Sequence, residues 1–368
     1  MRLKKVYIVF FVWDVMKKVK VSKKSVKHKS VVHHKKVKHK EVHKESHSRR
    51  SVYYDDLQKV KAEVAKMVLG HGEVTESILR ALLANGHVLI EGVPGVAKTL
   101  LIRTLAEVSG VASSRIQFTV DLLPADISGI TTYTPGKGFE TIKGPIFSNF
   151  VIADEINRAP PKTQSALLEA MQEKQVTIGK QTFQLEPPFF VMANHNPIES
   201  SGTYKLPEAQ VDRFLFKLKM GYPSNEDEEG IIDQNITTHK FEDFKVAQIL
   251  SAEKIMKMQE LVKEIPMSAQ IRKYIVRIVE ATRNPKDVGI RHGKYIEWGG
   301  SPRASIALGI GARADAFLKG QGNVSPQNVK NVAHDVLRHR ILLNYAGQAE
   351  NINSDKIIDE ILDKVKVP

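Results

Sequence analysis

A glycine-rich turn between a buried strand and a helix is the feature that most constrains the fold of this chain. The apolar run at residues 87–90 leads into the sequence Gly-Val-Pro-Gly-Val-Ala-Lys-Thr at residues 92–99. The two glycines allow backbone N–H groups to converge on a phosphate, and the N-terminus of the following helix adds positive potential. In loops of this pattern the lysine reaches the β- and γ-phosphates and the hydroxyl side chain ligates Mg²⁺. We therefore expect Lys98 to bind phosphate and Thr99 to bind the metal.

One position of the loop departs from the general pattern, because Ala97 stands where the last glycine is usual. A Cβ at this position costs little if the residue has the right-handed helical backbone that alanine accepts readily. The alternative interpretation of the segment is a glycine-rich turn followed by a surface lysine. The residues predicted to contact the nucleotide are Gly92, Val93, Pro94, Gly95, Val96, Ala97, Lys98, Thr99 and Leu100.

Strands and helices are predicted to alternate in the first part of the chain. Hydrophobic periodicity predicts strands near residues 87–91, 116–120, 149–154 and 189–193, and helices at 98–108 and 163–172. Such alternation indicates an α/β fold, with a parallel sheet covered by helices and ligands at the carboxyl ends of the strands. The strand pattern stops after residue 222, and the predicted helix N-caps beyond it are Ser251, Ser268, Ser301 and Ser354. We predict an α/β core at 51–222 and a smaller all-α domain at 223–368.

The net charge of +14 is confined to the N-terminal segment. Residues 1–50 hold 17 Lys and Arg against 3 Asp and Glu, which leaves 38 residues of each sign in the remainder. This segment has no helix or strand period, so we expect it to be basic and disordered. Because the remainder is neutral, the charge does not indicate nucleic-acid binding by the folded part.

The sequence gives few signs of export from the cytoplasm. There is no cysteine, which excludes disulfides and cysteine nucleophiles and is compatible with a reducing compartment. The apolar run at residues 6–13 is too short to span a bilayer, and no cleavage site follows it. We expect a cytoplasmic protein without a transmembrane segment.

Two carboxylates end the predicted strand at 149–154, downstream of the phosphate loop. Asp154 is suited to hold Mg²⁺ together with Thr99, while Glu155 can polarise a water for attack on the γ-phosphate. The alternative is a strand that merely ends in a charged turn. The next strand ends near Asn196, which we prefer as the group that senses the γ-phosphate, with Asn194 as the second choice.

These motifs together resemble those of the MoxR family of AAA+ ATPases. The resemblance lies in Glu91 through Thr99, in Gly144 through Gln164, and in Leu206 through Phe214, and it extends over about residues 55–365. The family carries alanine at the position of Ala97. Membership implies a P-loop core with a helical lid, ATP hydrolysis with Mg²⁺, a hexameric ring, and chaperone-like work on client proteins, often with von Willebrand factor A partners.

The resemblance also gives roles to two arginines that alone would be read as surface charges. Arg213 matches an intersubunit finger that reaches the γ-phosphate of a neighbour. Arg303, in Ser301 through Ala304, matches a sensor on the second domain that couples the lid to the nucleotide of its own subunit. The family usually has Ala-Thr-Gln-Asn-Pro where this chain has Ala193-Asn194-His195-Asn196-Pro197, so the neighbours of Asn196 differ from the family pattern.

Two other functions use the same nucleotide motifs. A nucleic-acid motor is one, although the neutral body and the lack of an aromatic and basic stripe in the core argue against nucleic acid as a partner. The other is a switch that hydrolyses ATP slowly and only changes its affinity for partners. The sequence does not separate that switch from an ATP-driven remodelling enzyme, because the same residues serve both.

Overall fold

A computed structural model of the chain describes residues 52–93, 95–196, 203–235 and 244–368. The predicted disordered segment at 1–50 and the predicted nucleotide contact Pro94 lie outside the described residues. Within the described ranges, every helix is too short or too polar to cross a lipid bilayer.

The first part of the described chain alternates between helices and strands. Its elements are α1 (52–65), α2 (Gly72–Leu83), β1 (Val88–Gly92), α3 (Lys98–Ser109), β2 (Ser113–Gln117), α4 (Pro124–Ser128), β3 (Gly129–Thr134), β4 (Gly138–Lys143), β5 (Phe150–Asp154), α5 (Pro161–Glu173), β6 (Gln175–Ile178), β7 (Gln181–Gln184), β8 (Phe190–His195), α6 (Glu208–Val211) and β9 (Phe216–Met220). Short 3₁₀ helices cover Pro145–Phe147 and Ile156–Arg158.

Five of these strands form one sheet in the order β2-β5-β8-β1-β9, and all neighbours are parallel. Consequently the carboxyl ends of β1, β5 and β8 lie at the same edge of the sheet. This confirms the predicted α/β fold. Two antiparallel hairpins, β3–β4 and β6–β7, are inserted between the sheet strands.

The sheet is buried on both faces. Along β5, Phe150 and Ile152 belong to one hydrophobic cluster, while Val151 and Ala153 belong to a second cluster. Side chains that alternate along a strand point to opposite faces, so each cluster covers one face of the sheet. This burial fixes the strand register and with it the positions of the residues at the strand ends.

The second part of the chain is mainly helical. It contains α7 (Asn225–Asn235), α8 (Ala252–Glu264), α9 (Ala269–Arg283), α10 (Pro285–Val288), a 3₁₀ helix (Arg291–Tyr295), β10 (Ile296–Trp298), α11 (Pro302–Leu318), α12 (Pro326–Leu337), β11 (Leu342–Leu343), α13 (Tyr345–Ala349) and α14 (Ser354–Lys364). The expected all-α domain therefore includes a small antiparallel ladder of β10 and β11. The proposed boundary near residue 222 falls in the connection between β9 and α7.

Three of the four predicted helix caps are confirmed. The hydroxyl groups of Ser251, Ser268 and Ser301 each accept a backbone N–H from the first turn of the following helix. The fourth prediction was wrong, because Asn353 caps α14 and Ser354 is its first helical residue. The Ser354 hydroxyl instead donates to the carbonyl of Arg338.

Candidate nucleotide-binding and hydrolysis site

The loop between β1 and α3 has the backbone of a phosphate cradle. Gly95 has a φ of +85°, and a Cβ placed there would point into open space. A Cβ at Gly92 would lie 2.5 Å from the carbonyl oxygen of Met220, so β1 and β9 approach closely only because residue 92 is glycine. The open space beside Gly95 is where loop N–H groups can face a phosphate.

The backbone of Ala97 does not meet the condition under which a Cβ at this position would cost little. Ala97 precedes the first residue of α3 and has φ 60° and ψ 26°, which is the left-handed region. The chain must turn sharply between the loop and α3, and this turn requires a positive φ at the position where related loops carry glycine.

Lys98 and Thr99 are the first two residues of α3 and face the carboxyl edge of the sheet. The Lys98 ammonium lies inside the loop, where its Nζ donates to the carbonyl of Gly92 at 2.5 Å. The Thr99 hydroxyl lies 3.3 and 3.4 Å from the two carboxylate oxygens of Asp154. The predicted metal-binding pair is thus brought together.

The Thr99 and Asp154 oxygens fit a magnesium ion. Mg²⁺ prefers octahedral oxygen ligands at about 2.1 Å, which puts adjacent ligands about 3.0 Å apart. The observed separations are only a few tenths of an ångström longer. No group of three or more His, Cys, Asp or Glu in the described ranges could hold a metal by itself. Such a cation would need phosphate oxygens and water as its other ligands, as is common for Mg²⁺.

The Asp154 carboxylate is almost completely buried at the end of β5. It accepts a hydrogen bond from the side-chain amide of Asn194 and pairs with the Arg115 guanidinium, whose Nε lies 2.5 Å from Oδ2. A buried carboxylate keeps its charge only when such partners replace water. Asp154 is therefore held in one orientation, facing Thr99.

Glu155 follows directly and has a left-handed backbone, with φ 56°. Its side chain is half-buried, and one carboxylate oxygen accepts from the Gln117 amide at 2.8 Å and pairs with Arg158 Nε at 3.0 Å. Its backbone N–H donates to the Asn194 side-chain oxygen at 2.9 Å. The turn at Glu155 thus directs a carboxylate into the same space as Thr99 and Lys98.

Both candidate asparagines lie at the carboxyl end of β8. The side-chain oxygen and nitrogen of Asn194 are engaged by the Glu155 backbone and the Asp154 carboxylate. Asn194 therefore supports the two acids. Asn196 is buried and lines the same space.

The unusual His195 between these asparagines contacts the strand that precedes the phosphate loop. Its Nε2 lies 3.3 Å from the Glu91 carboxylate, which also pairs with Lys217 at 2.6 Å. Burial raises the pKa of Glu91, but hydrogen bonds and charges from His195 and Lys217 outweigh it and lower that pKa to about 2. His195, which differs from the family pattern, is thus accommodated by contact with the Glu91 carboxylate at the end of β1.

Together these residues enclose a cleft of about 370 Å³ that we call the phosphate cleft. It is lined by Gly95, Ala97, Lys98, Thr99, Leu100, Arg115, Gln117, Asp154, Glu155, Asn194 and Asn196. Of the other predicted nucleotide contacts, Val96 is buried in the hydrophobic core and Gly92 packs against β9. Val93 is partly buried and packs against the same core.

Arg115 and Gln117 were not among the predicted site residues, because the predicted second strand began at residue 116. The strand begins at Ser113, and the two polar side chains lie on the face opposite the buried Ile116. The alternation of Arg115, Ile116 and Gln117 was the available signal. This alternation indicates an edge strand, and the polar face of β2 borders the carboxyl end of β5.

The two predicted arginines lie elsewhere. Arg213 and Arg303 line a second cavity of about 370 Å³, together with Arg340 and Lys174, which we call the arginine cavity. Arg213 precedes β9, whereas the phosphate loop follows β1, and the two strands are parallel. A five-residue strand at about 3.3 Å per residue separates the two cavities by roughly 16 Å.

This placement departs from the expectation that Arg303 faces the nucleotide of its own subunit. Arg303 lies at the start of α11 and pairs with Asp212 at 3.4 Å. A Cβ at Gly311 would lie 3.1 Å from the ring of Phe216, the first residue of β9, so α11 packs closely against the amino edge of the sheet. That packing carries Arg303 to the arginine cavity.

Comparison with known proteins agrees with this geometry. The model for the ATPase family associated with various cellular activities (AAA) matches residues 87–216, and the AAA lid domain model matches residues 289–361. A Mycobacterium tuberculosis protein named Chaperone MoxR1 is 46% identical over 85% of this chain and 82% of its own length. The uncharacterised protein YeaC of Bacillus subtilis is 43% identical over 86% of this chain and 97% of its length. A crystal structure of a candidate ATPase from Cytophaga hutchinsonii superposes with a TM-score of 0.80 at 44% identity, covering 88% of this chain and 98% of that one.

Proposed function

Because the chain belongs to the MoxR family of AAA+ ATPases, we propose that it binds ATP with Mg²⁺ in the phosphate cleft and hydrolyses the γ-phosphate there. The observation that carries this proposal is the convergence of Lys98, Thr99, Asp154 and Glu155 at one edge of the sheet. A bound Mg²⁺ would be held by Thr99 and Asp154 and would neutralise charge on the phosphates.

Different residues of the phosphate cleft bind the phosphates and activate the water. Lys98 and the loop N–H groups bind the phosphates in the ground state. Glu155 orients a water and accepts its proton as the water attacks, while Asn196 contacts the γ-phosphate. Gln117 and Arg158 both contact the Oε2 atom of Glu155 and orient its carboxylate, whose Oε1 can accept a hydrogen bond from the water.

A pair of variants tests whether Lys98 acts in nucleotide binding and Glu155 in hydrolysis. Lys98→Ala should lose nucleotide binding, because it removes a charge that contacts the ground-state phosphates. Glu155→Gln should keep binding but lose turnover, because the amide cannot take the proton of the water. Binding is measured by calorimetry with ATP and turnover by phosphate release. Equal loss of nucleotide binding in both variants would show that Glu155 has a different role.

The arginine cavity supports a ring in which subunits share each site. Its arginines lie at the amino ends of the strands, about 16 Å from the cleft by the length of β9, and this separation favours contact with the nucleotide of a neighbouring subunit. We assign both Arg213 and Arg303 to the γ-phosphate of a neighbouring subunit, which changes the role first given to Arg303. A head-to-tail contact of this kind closes into a ring, and a hexamer is the form proposed.

We propose that ATP binding and hydrolysis drive the remodelling of client proteins, including partners with von Willebrand factor A domains. The relative named Chaperone MoxR1 favours this reading over a nucleic-acid motor. Affinity capture with Glu155→Gln, which should hold ATP and client together, tests the proposal. Wild-type and Lys98→Ala baits are the controls, and proteins retained by all three baits equally would argue against nucleotide-dependent clients.

A further inference from the structure

Arg115 lies on the edge strand β2 and reaches across to the end of β5. Residues 115 and 117 project from the same face of β2, and Gln117 pairs in register with Asp154. From this position the Arg115 Nε lies 2.5 Å from Asp154 Oδ2, and its Nη2 lies 3.3 Å from the Gln117 side-chain oxygen. A cation of the protein thus contacts the carboxylate that also faces Thr99.

The two members of this ion pair differ strongly in their exposure. The Arg115 side chain is 57% exposed, whereas that of Asp154 is 3% exposed. The carboxylate therefore needs a positive charge close to it, since an unpaired buried charge is costly. Arg115 can supply that charge and can also leave, because most of its side chain already lies in water.

A magnesium ion at Thr99 and Asp154 would compete with this guanidinium for the same carboxylate. Both cations prefer a carboxylate oxygen, and Mg²⁺ carries twice the charge in a smaller radius. We propose that Arg115 is a positioning residue that holds Asp154 facing Thr99 in the absence of metal and gives up this contact when Mg²⁺ binds with the nucleotide. This inference rests on the proposed function, in which Thr99 and Asp154 bind the metal.

The competition makes a thermodynamic prediction. Part of the free energy of metal binding in the wild-type protein is used to displace Arg115 from Asp154. We compare the dissociation constant of the nucleotide in EDTA with its dissociation constant in saturating Mg²⁺. The ratio of the first to the second is therefore smaller in the wild-type protein than it would be without Arg115. In Arg115→Ala this ratio should rise about fivefold, the effect expected of a partly exposed ion pair.

The test is calorimetry of the full chain with the slowly hydrolysed analogue AMP-PNP, in EDTA and in saturating Mg²⁺. Arg115→Lys keeps a charge that can pair with Asp154, so its ratio should lie closer to that of the wild-type protein. Lys180→Ala removes one positive charge at the exposed β6–β7 turn and should leave the ratio unchanged. Cooperative unfolding of each variant establishes that it is folded.

The outcomes separate this inference from the proposed function. A ratio that is unchanged or lower in Arg115→Ala would overturn the inference, including the case in which Arg115 contacts the nucleotide and its loss weakens binding equally in both buffers. Asp154→Asn should reduce the ratio strongly. If Asp154→Asn keeps the wild-type ratio, or if the wild-type protein does not bind AMP-PNP, the proposed metal and nucleotide site fails, and the role of Arg115 fails with it.

Discussion

Two residues of the phosphate cleft, Ala97 and Glu155, have left-handed backbones with φ of 60° and 56°. Such conformations are costly for residues with a Cβ, and they persist only where the surroundings fix them. At Glu155 the fixing contact is the hydrogen bond from its N–H to Asn194. At Ala97 the loop and α3 impose the turn. In both places the backbone aims a functional group: the Glu155 carboxylate, and the N-terminus of α3 with Lys98.

Replacement of Ala97 by glycine should stabilise the nucleotide-free protein. The left-handed backbone costs alanine about 1–2 kcal/mol, whereas glycine loses about 0.5–1 kcal/mol of additional chain entropy on folding. The expected gain in the free energy of unfolding for Ala97→Gly is therefore about 0.5–1 kcal/mol, measured by denaturant titration without nucleotide.

A matched control for this prediction is available in the second part of the chain. Gly289 has a similar backbone, with φ 71°, and a Cβ there would meet nothing within 4 Å. Gly289→Ala should therefore destabilise the protein by about the amount that Ala97→Gly stabilises it. A loss of stability in Ala97→Gly would show that the Cβ of Ala97 contributes contacts worth more than the strain.

The positions that could be predicted best from the sequence are those at the ends of buried strands. Asp154 and Asn196 follow apolar runs, and parallel strands bring such ends to one edge regardless of side-chain detail. The conformation of Ala97 could not be read in the same way, because it depends on the turn between loop and helix. Arg115 was missed since its role depends on reaching across to a neighbouring strand, which no local pattern encodes.

At the scale of elements, β1 is tied to its neighbours at both ends. At its carboxyl end Glu91 pairs with His195 of β8 and with Lys217 of β9. At its amino end the His87 ring is buried between α5 and β8. Its Nδ1 accepts the Val191 N–H at 3.0 Å, and its Nε2 lies 3.2 Å from the Met171 carbonyl. This pattern requires a neutral ring with its proton on Nε2.

The His87 contacts predict a loss of stability in mild acid. Burial lowers the pKa of His87 from 6.5 to about 4, with Lys174 adding to the effect and the Met171 hydrogen bond opposing it. Between these values the unfolded state binds a proton that the folded state does not, so stability falls as pH falls. From pH 7.5 to 5.0 the contribution of His87 to this loss should be about 2 kcal/mol.

The measurement compares denaturant unfolding at the two pH values in the wild-type protein and in His87→Gln. The variant does not titrate in this range, so its stability should fall by about 2 kcal/mol less than that of the wild-type protein. Val191→Ala is the control, since it removes buried contacts of β8 but keeps the histidine and the backbone N–H that faces it. It should show the full wild-type loss. An equal loss in wild-type and His87→Gln would contradict the assigned cause.

The prediction of whole elements was most accurate where burial is two-sided. β5 and β8 were placed within one or two residues because every side chain along them is apolar up to the polar ends. β2 was predicted too late because its burial alternates and its exposed residues are polar. The β10–β11 ladder was not predicted, since strands of two or three residues leave no period to detect.

At the scale of the whole molecule, the phosphate cleft and the arginine cavity lie at opposite edges of one sheet. One subunit therefore presents phosphate-binding groups at one edge and cations at the other. Within the arginine cavity, Asp212 pairs with Arg340 at 2.6 Å and with Arg303 at 3.4 Å. Arg213 donates to the Leu168 carbonyl at 2.9 Å. Neutral and acidic partners thus hold these arginines at the amino edge, and the proposed ring places a second subunit there.

Mixed rings test whether the arginines act across subunits. Arg213→Ala alone should lose about 10³- to 10⁵-fold in turnover, as expected for an arginine that stabilises the transferring phosphoryl group, while ATP binding to single subunits stays close to normal. Lys98→Ala alone should also be inactive. In an equal mixture, about a quarter of randomly formed interfaces join an intact cleft to an intact Arg213, so activity should return to about that fraction of the wild-type rate.

The same mixing experiment with Arg303→Ala distinguishes the two roles considered for that residue. If Arg303 acts on the neighbour, as its place beside Arg213 indicates, Arg303→Ala and Lys98→Ala should also complement each other. If it acts on the nucleotide of its own subunit, no mixture can restore activity, because each subunit then lacks either its cleft lysine or its own arginine. Sizing of each mixture shows whether rings have formed, and co-purification of one variant with an affinity-tagged copy of the other shows whether subunits have exchanged. The shared site would be overturned if both mixtures form rings that contain both variants and neither restores hydrolysis at any ratio. An intact cleft would then have met an intact arginine across an interface without effect.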